Sequence, residues 1–329
     1  MKTARRKRKS RSRRSNGLIY IFICLIAAIV LAAVIFALSL PRLNSDNDDR
    51  LLGTYDELNT VVYAGMRVKV DPEAAVSTYK SEDFHVVDDN FIYYDGTGGN
   101  SDSTDTESDD TSIDFDGTST NYDDTETSYG VDVSSHQEDI DWQAVADEGM
   151  DFAFIRVGYR GITEGELHAD DYFTQNIEGA KAAGLDVGVY MFSQAVTVEE
   201  ALEEADFTLE LIKGYDLDYP VIFDWEDSSR NKSIDKETLT ACALAFCNTI
   251  ENAGYSAGVY FNTYIGYFLY DFRSIEGFTM WLAQYQDSPD FYYDFQIWQY
   301  TETGHVNGIK GDTDLDICFK NMHGPKLDE

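Results

Sequence analysis

Two carboxylates stand one residue apart inside an apolar run, Asp224 and Glu226 in VIFDWED at residues 221–227. In an extended segment side chains alternate between faces, so Val221, Phe223 and Trp225 share one side while Ile222, Asp224 and Glu226 share the other. Two enclosed like charges are costly unless they are partnered or used. A bland account bridges the pair with arginine, and Arg156 is the one candidate inside a strand-like run. In the chemical account the mutual repulsion lifts one pKa, so that one carboxyl keeps its proton beside an ionised partner. A protonated acid next to a carboxylate is what cleavage of a glycosidic bond needs. Asp132 in VDVSS and Asp314 in DTDLD are two further acids at strand-like ends that can line the same mouth. Taken alone, Asp132 reads equally as an Asx turn into Ser134 and Ser135, and Asp314 as a loop acid.

Such residues must be held by a scaffold, and from residue 129 to about 319 the chain supplies one. Eight short β-branched and aromatic runs occupy residues 129–133, 152–159, 186–193, 220–226, 256–262, 278–285, 295–301 and 313–319. Between the early runs lie helical patterns. In the clearest, Val198, Ala201, Leu202, Ala205, Leu209 and Ile212 mark one face, Thr197 and Glu200 form a capping box, and Gly214 stops the helix. Another runs from about Asp235 to Gly254 through Leu239, Phe246 and Ile250. This alternation implies parallel βαβ units. The expected fold is α/β, an irregular TIM-like (β/α) barrel over residues 129–322 with a short tail at 323–329. Because the last runs are too close for crossover helices, about five βα units should be followed by closely spaced strands. Glu226 then falls at the carboxyl end of its strand, where such barrels place their chemistry.

The rest of the chain is organised by charge. Of 25 basic residues, nine precede Gly17, so the remainder carries 16 basic against 60 acidic residues, a net of −44. That argues against nucleic acid as partner of the folded part. Residues 18–40 form an uncharged apolar run, roughly 34 Å long as a helix at about 1.5 Å per residue. With the basic arm (1–17) before it and acidic chain after it, this run is expected to be a single-pass transmembrane helix, the N-terminus cytoplasmic and the remainder extracellular. Cleavage after the small residues near Ala37 and Ser39 is the rival reading. Residues 41–128 read as an extracytoplasmic stalk. Its β-rich pieces near 60–70 and 84–95 suggest a small paired unit within 60–95, and its Asp/Ser/Thr/Gly-rich stretch (96–128) suggests a flexible acidic linker.

The segments YGVDVSSHQEDIDW (129–142), FAFIRVGYRG (152–161), AGLDVGVYMFSQA (183–195), PVIFDWE (220–226), GYSAGVYFN (254–262) and IWQYTETGHVNGIKGDTDLD (297–316) resemble, in order, those of glycoside hydrolase family 25 lysozymes. The resemblance implies an irregular (β/α) barrel with an acidic groove and N-acetylmuramidase activity on peptidoglycan glycan strands. It implies Glu226 as general acid, Asp224 beside it stabilising the reacting sugar, and Asp132 and Asp314 at the family's other acidic positions. Either a covalent intermediate or assistance by the substrate's acetamido group is open, with acetamido assistance oriented by Asp224 preferred. One departure is Glu138, where the family commonly has glycine, and it bears on loop shape.

Sugar binding needs flat apolar faces with polar edges, which makes Tyr190, Tyr260, Trp281, Tyr285 and Trp298 groove candidates, with Asn262 and Gln299 as hydrogen-bonding partners for acetamido groups. No metal or cofactor is expected, because the five histidines are scattered and neither H-E-x-x-H nor C-x-x-C occurs. His136 reads as a loop contact. Cys242, Cys247 and Cys318 are expected as buried thiols, with a disulfide from Cys318 to either helical cysteine the alternative. A membrane-tethered wall-binding scaffold would be expected to have lost its acid, whereas Glu226, Asp224, Asp132 and Asp314 are all present, and a chitinase-like D-x-x-D-x-D-x-E site fails at Tyr219 and Ile222. The expectation is a membrane-anchored monomer that acts in cell-wall remodelling.

Overall fold

The computed structural model describes residues 59–86, 91–94 and 127–319. The basic arm, the apolar run 18–40, residues 95–126 of the stalk and linker, and the tail 323–329 lie outside the described residues. Among the described residues no helix is long and apolar enough to cross a membrane.

Eight strands close into a barrel. In chain order they are β5 (Ser128–Val133), β6 (Phe152–Arg160), β8 (Asp186–Ser193), β9 (Val221–Trp225), β10 (Ala257–Asn262), β11 (Thr279–Ala283), β12 (Ile297–Gly304) and β13 (Thr313–Cys318). A ninth strand, β7 (Leu167–Ala169), folds back antiparallel on the end of β6. Strands β5, β6, β8, β9, β10, β11 and β12 run parallel from neighbour to neighbour. The barrel closes through β13, which is antiparallel to both β12 and β5. That inversion follows from the short 305–312 connection, which has no room for a crossover.

Helices α1 (Trp142–Asp147), α2 (Phe173–Ala182), α3 (Val198–Leu211), α4 (Lys236–Asn252), α5 (Thr263–Phe268) and α6 (Phe272–Ile275) fill the first five crossovers. Side chains of Asp141, Thr197, Asp235 and Asn262 cap α1, α3, α4 and α5 by accepting backbone N–H bonds. The expected capping box on α3 is only half made. Thr197 accepts the Glu200 N–H, but the Glu200 carboxylate accepts from Val196 N at 2.9 Å and holds Arg230. Leu202, assigned to the buried face, is 40 % exposed. Its expected place is taken by Glu204, fully buried between Arg160 Nε at 2.7 Å and Ser193 Oγ at 2.5 Å.

Strand alternation sorts the core into two sides. Val221, Phe223 and Trp225 face outward under the helices with Val189, Val259 and Phe261. Phe152, Phe154, Tyr219, Ile222, Tyr260 and Trp281 fill the barrel interior. Two inward positions are glycines because aromatic rings take their space. A Cβ on Gly130 would meet the Phe152 ring at 2.3 Å, and one on Gly188 the Phe154 ring at 2.3 Å. Among the described residues Cys242, Cys247 and Cys318 are buried thiols, and Cys318 forms no disulfide with either helical cysteine.

The β-rich pieces before the linker do not pair with each other as expected. Strands β1 (Thr60–Tyr63) and β2 (Met66–Lys69) form one antiparallel hairpin, and β3 (Phe84–Val86) and β4 (Ile92–Tyr94) a separate pair. The first turns through Ala64 and Gly65, both at positive φ (47° and 77°), the conformation a two-residue hairpin loop demands. Nor is this segment a free stalk. The described residues from 59 onward belong to one compact unit. The Tyr79 ring lies on Phe319 and Phe295 (centroids 4.2 and 4.9 Å), Phe84 on Trp298 (5.2 Å) and Tyr63 on Tyr267 (5.7 Å). Phe295 precedes β12 and Phe319 follows β13, so the Tyr79 ring lies at the end of the barrel where the parallel strands begin.

Candidate active site

At the opposite end the parallel strands finish around a cavity of about 330 Å³. Asp132, Asp224, Glu226, Glu302 and Asp314 line it with Arg156, Tyr190, Tyr260, Trp281, Tyr285 and Gln299. The sheet brings the acids together by register. Asp224 lies between Phe192 of β8 and Tyr260 of β10, and Asp132 lies directly opposite Asp314. Glu226 follows the last residue of β9, on the inward side that alternation assigns to it.

The carboxyls differ in their surroundings. Asp224 is 6 % exposed and Asp132 5 %. Burial pushes Asp224 well above the usual carboxylate range, and the charges of Glu226 and Asp132 push it further. Glu226 is less enclosed and is raised by burial and then by Glu302. Two such neighbouring carboxyls titrate as a pair. Oδ1 of Asp224 is buried without a hydrogen-bond partner. Arg156 does not bridge the pair. Its guanidinium is held by Asp170 Oδ2 at 2.8 Å and Ser135 Oγ at 3.0 Å, and it acts on Asp224 only as a nearby charge.

A second group of acids sits on β5 and β13. Burial, then the charge of Asp316, raises Asp132 well above its usual range, and burial with the charge of Asp132 lifts Asp314 to about 9. Gln299 ties this group to the cavity wall. Its Nε2 donates to Asp132 Oδ2 at 2.7 Å, while its Oε1 accepts from the hydroxyls of Tyr260 and Tyr285, each at 2.8 Å.

Of the aromatic candidates, Tyr190, Tyr260, Trp281 and Tyr285 line the cavity, and Tyr285, 49 % exposed, stands at its rim. Trp298 does not. The parity that turns Ile297 and Gln299 inward turns Trp298 outward, where it is fully buried against Phe84 and donates to the Gln284 carbonyl at 2.8 Å. Asn262 is also outside the cavity, its Oδ1 accepting the Ile265 N–H at 3.0 Å as cap of α5. A polar residue ending a strand before a helix is more often a cap than a ligand contact. His136 lines the cavity instead of serving only as a loop contact.

Three contributors were not singled out from sequence. Phe192 needs only the parity of β8, two residues past Tyr190. Glu302 lies beyond register shifts in β12, which ordinary alternation does not anticipate. Asp316 carries a readable signal, since it lies two residues past Asp314 on the same face. It is fully buried, its Oδ1 accepts from Trp281 Nε1 at 2.9 Å, and burial raises it well above the carboxylate range. Among the described residues no cluster of His, Cys, Asp or Glu is arranged to hold a metal ion.

The family model for glycosyl hydrolases family 25 matches residues 131–309, the span that carries this arrangement. An autolytic lysozyme of Clostridium acetobutylicum is 30% identical over 188 residues, covering 56% of this chain and 54% of that protein. The uncharacterized protein YegX of Escherichia coli is 33% identical over 201 residues, covering 57% of this chain and 68% of that protein. Among solved structures, the modular autolysin LytC from Streptococcus pneumoniae superposes with a TM-score of 0.52 at 28% identity, over 58% of this chain and 46% of that one. This chain thus spans about half the length of the autolytic lysozyme and of LytC. Barrel, acidic mouth and sequence match agree: the chain belongs to glycosyl hydrolases family 25.

Proposed function

We propose that the chain is an N-acetylmuramidase that hydrolyses the β-1,4 bond between N-acetylmuramic acid and N-acetylglucosamine in peptidoglycan. The observation that carries this reading is the pair of unequal neighbours, an enclosed Asp224 and a more open Glu226, on one face of a strand end that opens into the cavity. Family membership and the likeness to an autolytic lysozyme support the substrate class.

Burial, greater at Asp224 than at Glu226, favours the neutral form of Asp224. A substrate acetamido N–H supplies the donor that Asp224 Oδ1 lacks, stabilises the ionised form and leaves the proton to Glu226. Glu226 then protonates the glycosidic oxygen as the bond from C1 breaks, and the acetamido oxygen closes on C1 with Asp224 balancing the positive charge. Water attacks C1, its proton returns to Glu226, and the ring-closed intermediate reopens. Tyr285 at the rim offers an exposed aromatic face to the sugar, and Tyr190, Tyr260 and Trp281 line the cavity.

The apolar run 18–40, flanked by the basic arm and acidic chain, supports a single-pass anchor with the barrel on the outer face of the membrane, acting as a monomer on the cell's own wall. In the full-length chain Glu226→Gln is expected to lower the release of reducing ends from purified peptidoglycan by about 10² to 10⁴-fold, the usual weight of a general acid. Undiminished release overturns the assignment. Recovery of the protein mainly from culture supernatant, with its N-terminus at residue 40 or later, overturns the anchor.

A further inference from the structure

Glu226 sits where the sheet stops. β9 pairs with β8 as far as Ser193 opposite Trp225, and with β10 only as far as Tyr260 opposite Asp224. No ladder partner fixes the residue that must deliver the proton. A carboxyl on a free strand end sweeps an arc, and an error of about 1 Å in its placement costs on the order of 100-fold in rate.

Two buried amides take over from the sheet. Asn231 and Gln194 are both fully buried. Asn231 Nδ2 donates to the Glu226 carbonyl at 2.8 Å, and Gln194 Nε2 donates to the same carbonyl at 3.3 Å. Asn231 Oδ1 accepts the Ser228 N–H at 2.7 Å, so one side chain grips the loop on both sides of Asp227. The Ser228 hydroxyl donates to Gln194 Oε1, which also accepts from Asn231 Nδ2 at 3.3 Å. Behind the amides, Arg230 donates to the Gln194 carbonyl and pairs with Glu200 Oε1 at 2.6 Å, which anchors the loop on the first turn of α3. Buried amides are expected to find partners somewhere. Here all the bonds that these two side chains make converge on the acid's own loop, and neither makes one to the general core.

We infer that Asn231, supported by Gln194, is the positioning residue for Glu226, holding its backbone so that the carboxyl meets the glycosidic oxygen. It does not touch substrate, since neither Asn231 nor Gln194 lines the cavity. This rests on the reading of Glu226 as the acid, and it assigns the loop 227–231 a part in proton delivery.

The test uses the full-length chain, Asn231→Asp, Asn231→Ala and, as reference, Glu226→Gln, on glycan strands and on a 2,4-dinitrophenyl β-glycoside of N-acetylmuramic acid, whose leaving group needs no proton. Asn231→Asp keeps the shape and the bond from Ser228 but turns an oxygen toward the Glu226 carbonyl. The expected result is a fall in kcat of about 10- to 100-fold on glycan strands for both variants, with KM nearly unchanged and the loss largely absent on the activated glycoside. A merely structural role would lower both substrates together. Equal losses on the two substrates, or unchanged kcat on glycan strands while Glu226→Gln shows the split, overturns the inference. If Glu226→Gln itself shows no split, it is the assignment of the acid that fails. Tryptophan fluorescence melts, run alongside, set an assay temperature at which each variant is folded, so a lowered melting temperature alone neither mimics nor hides the split.

Discussion

Replacing Asp314 by asparagine should change how the stability of the barrel depends on pH. In the folded chain Asp314 is raised from 3.8 to about 9, first by burial and then by the charge of Asp132. Between these values the folded protein keeps a proton that the unfolded chain has released. A raised carboxyl therefore favours the fold at low pH, and that contribution is lost as pH climbs toward about 9. Linkage gives a slope of about 1.4 kcal/mol per pH unit for one retained proton. From pH 5 to 8 this amounts to about 4 kcal/mol, or about 2 kcal/mol once the part of the side chain that solvent reaches is discounted. Asparagine has nearly the same shape and does not titrate, and its amide donates to Asp132. The stability of Asp314→Asn relative to the natural chain should accordingly rise by about 2 kcal/mol between pH 5 and pH 8. The four tryptophans, Trp142, Trp225, Trp281 and Trp298, all lie in the barrel, so urea unfolding followed by their fluorescence reports on this unit alone. The full-length chain and the variant would be compared at pH 5, 6, 7 and 8 in one detergent at one ionic strength. A difference that stays constant across the four pH values refutes the reasoning.

Glu302 raises Glu226 by its charge, so Glu302→Gln should lower the pKa of the acid and move the alkaline limb of the kcat/KM profile toward acid; a limb that stays in place contradicts the coupling. Glu138 adopts φ 55° and ψ −134°, a region suited to glycine, and Glu138→Gly should stabilise the barrel by about 1 kcal/mol with unchanged activity, read from urea midpoints. Phe84, 8 % exposed, packs on Trp298 on the outer face of β12, turned away from the cavity. Phe84→Ala should destabilise the unit by about 3 kcal/mol, the usual cost of removing a buried ring. It should leave KM and kcat intact at temperatures where the protein is folded, and loss of activity without loss of stability contradicts the placement.

The barrel strands were readable because each couples a β-rich run to a turn or a helix start, and the two faces of β9 follow from alternation alone. Parity also placed Asp224 and Glu226 inward. The same rule, applied to the sequence IWQY, excludes Trp298 and admits Gln299, so an aromatic's chemistry was a poorer guide there than its position. Asn262 was misread because a strand end and a helix cap coincide in one residue. What sequence could not supply depends on contacts between distant segments: the pairing of Arg156 with Asp170, the Asn231 and Gln194 grip, and the docking of Tyr79 and Phe84 on Phe319 and Trp298. No local pattern encodes these. Glu204 shows the opposite failure, since a charged residue on the buried face breaks an apolar stripe until its partners Arg160 and Ser193 are known.

The most direct test of the central claim is the identity of the new ends. Purified peptidoglycan is digested with the full-length chain, the fragments are reduced with borohydride, and their termini are identified by mass spectrometry. Fragments ending in reduced N-acetylmuramic acid are the predicted result; fragments ending in reduced N-acetylglucosamine, or none at all, would contradict it.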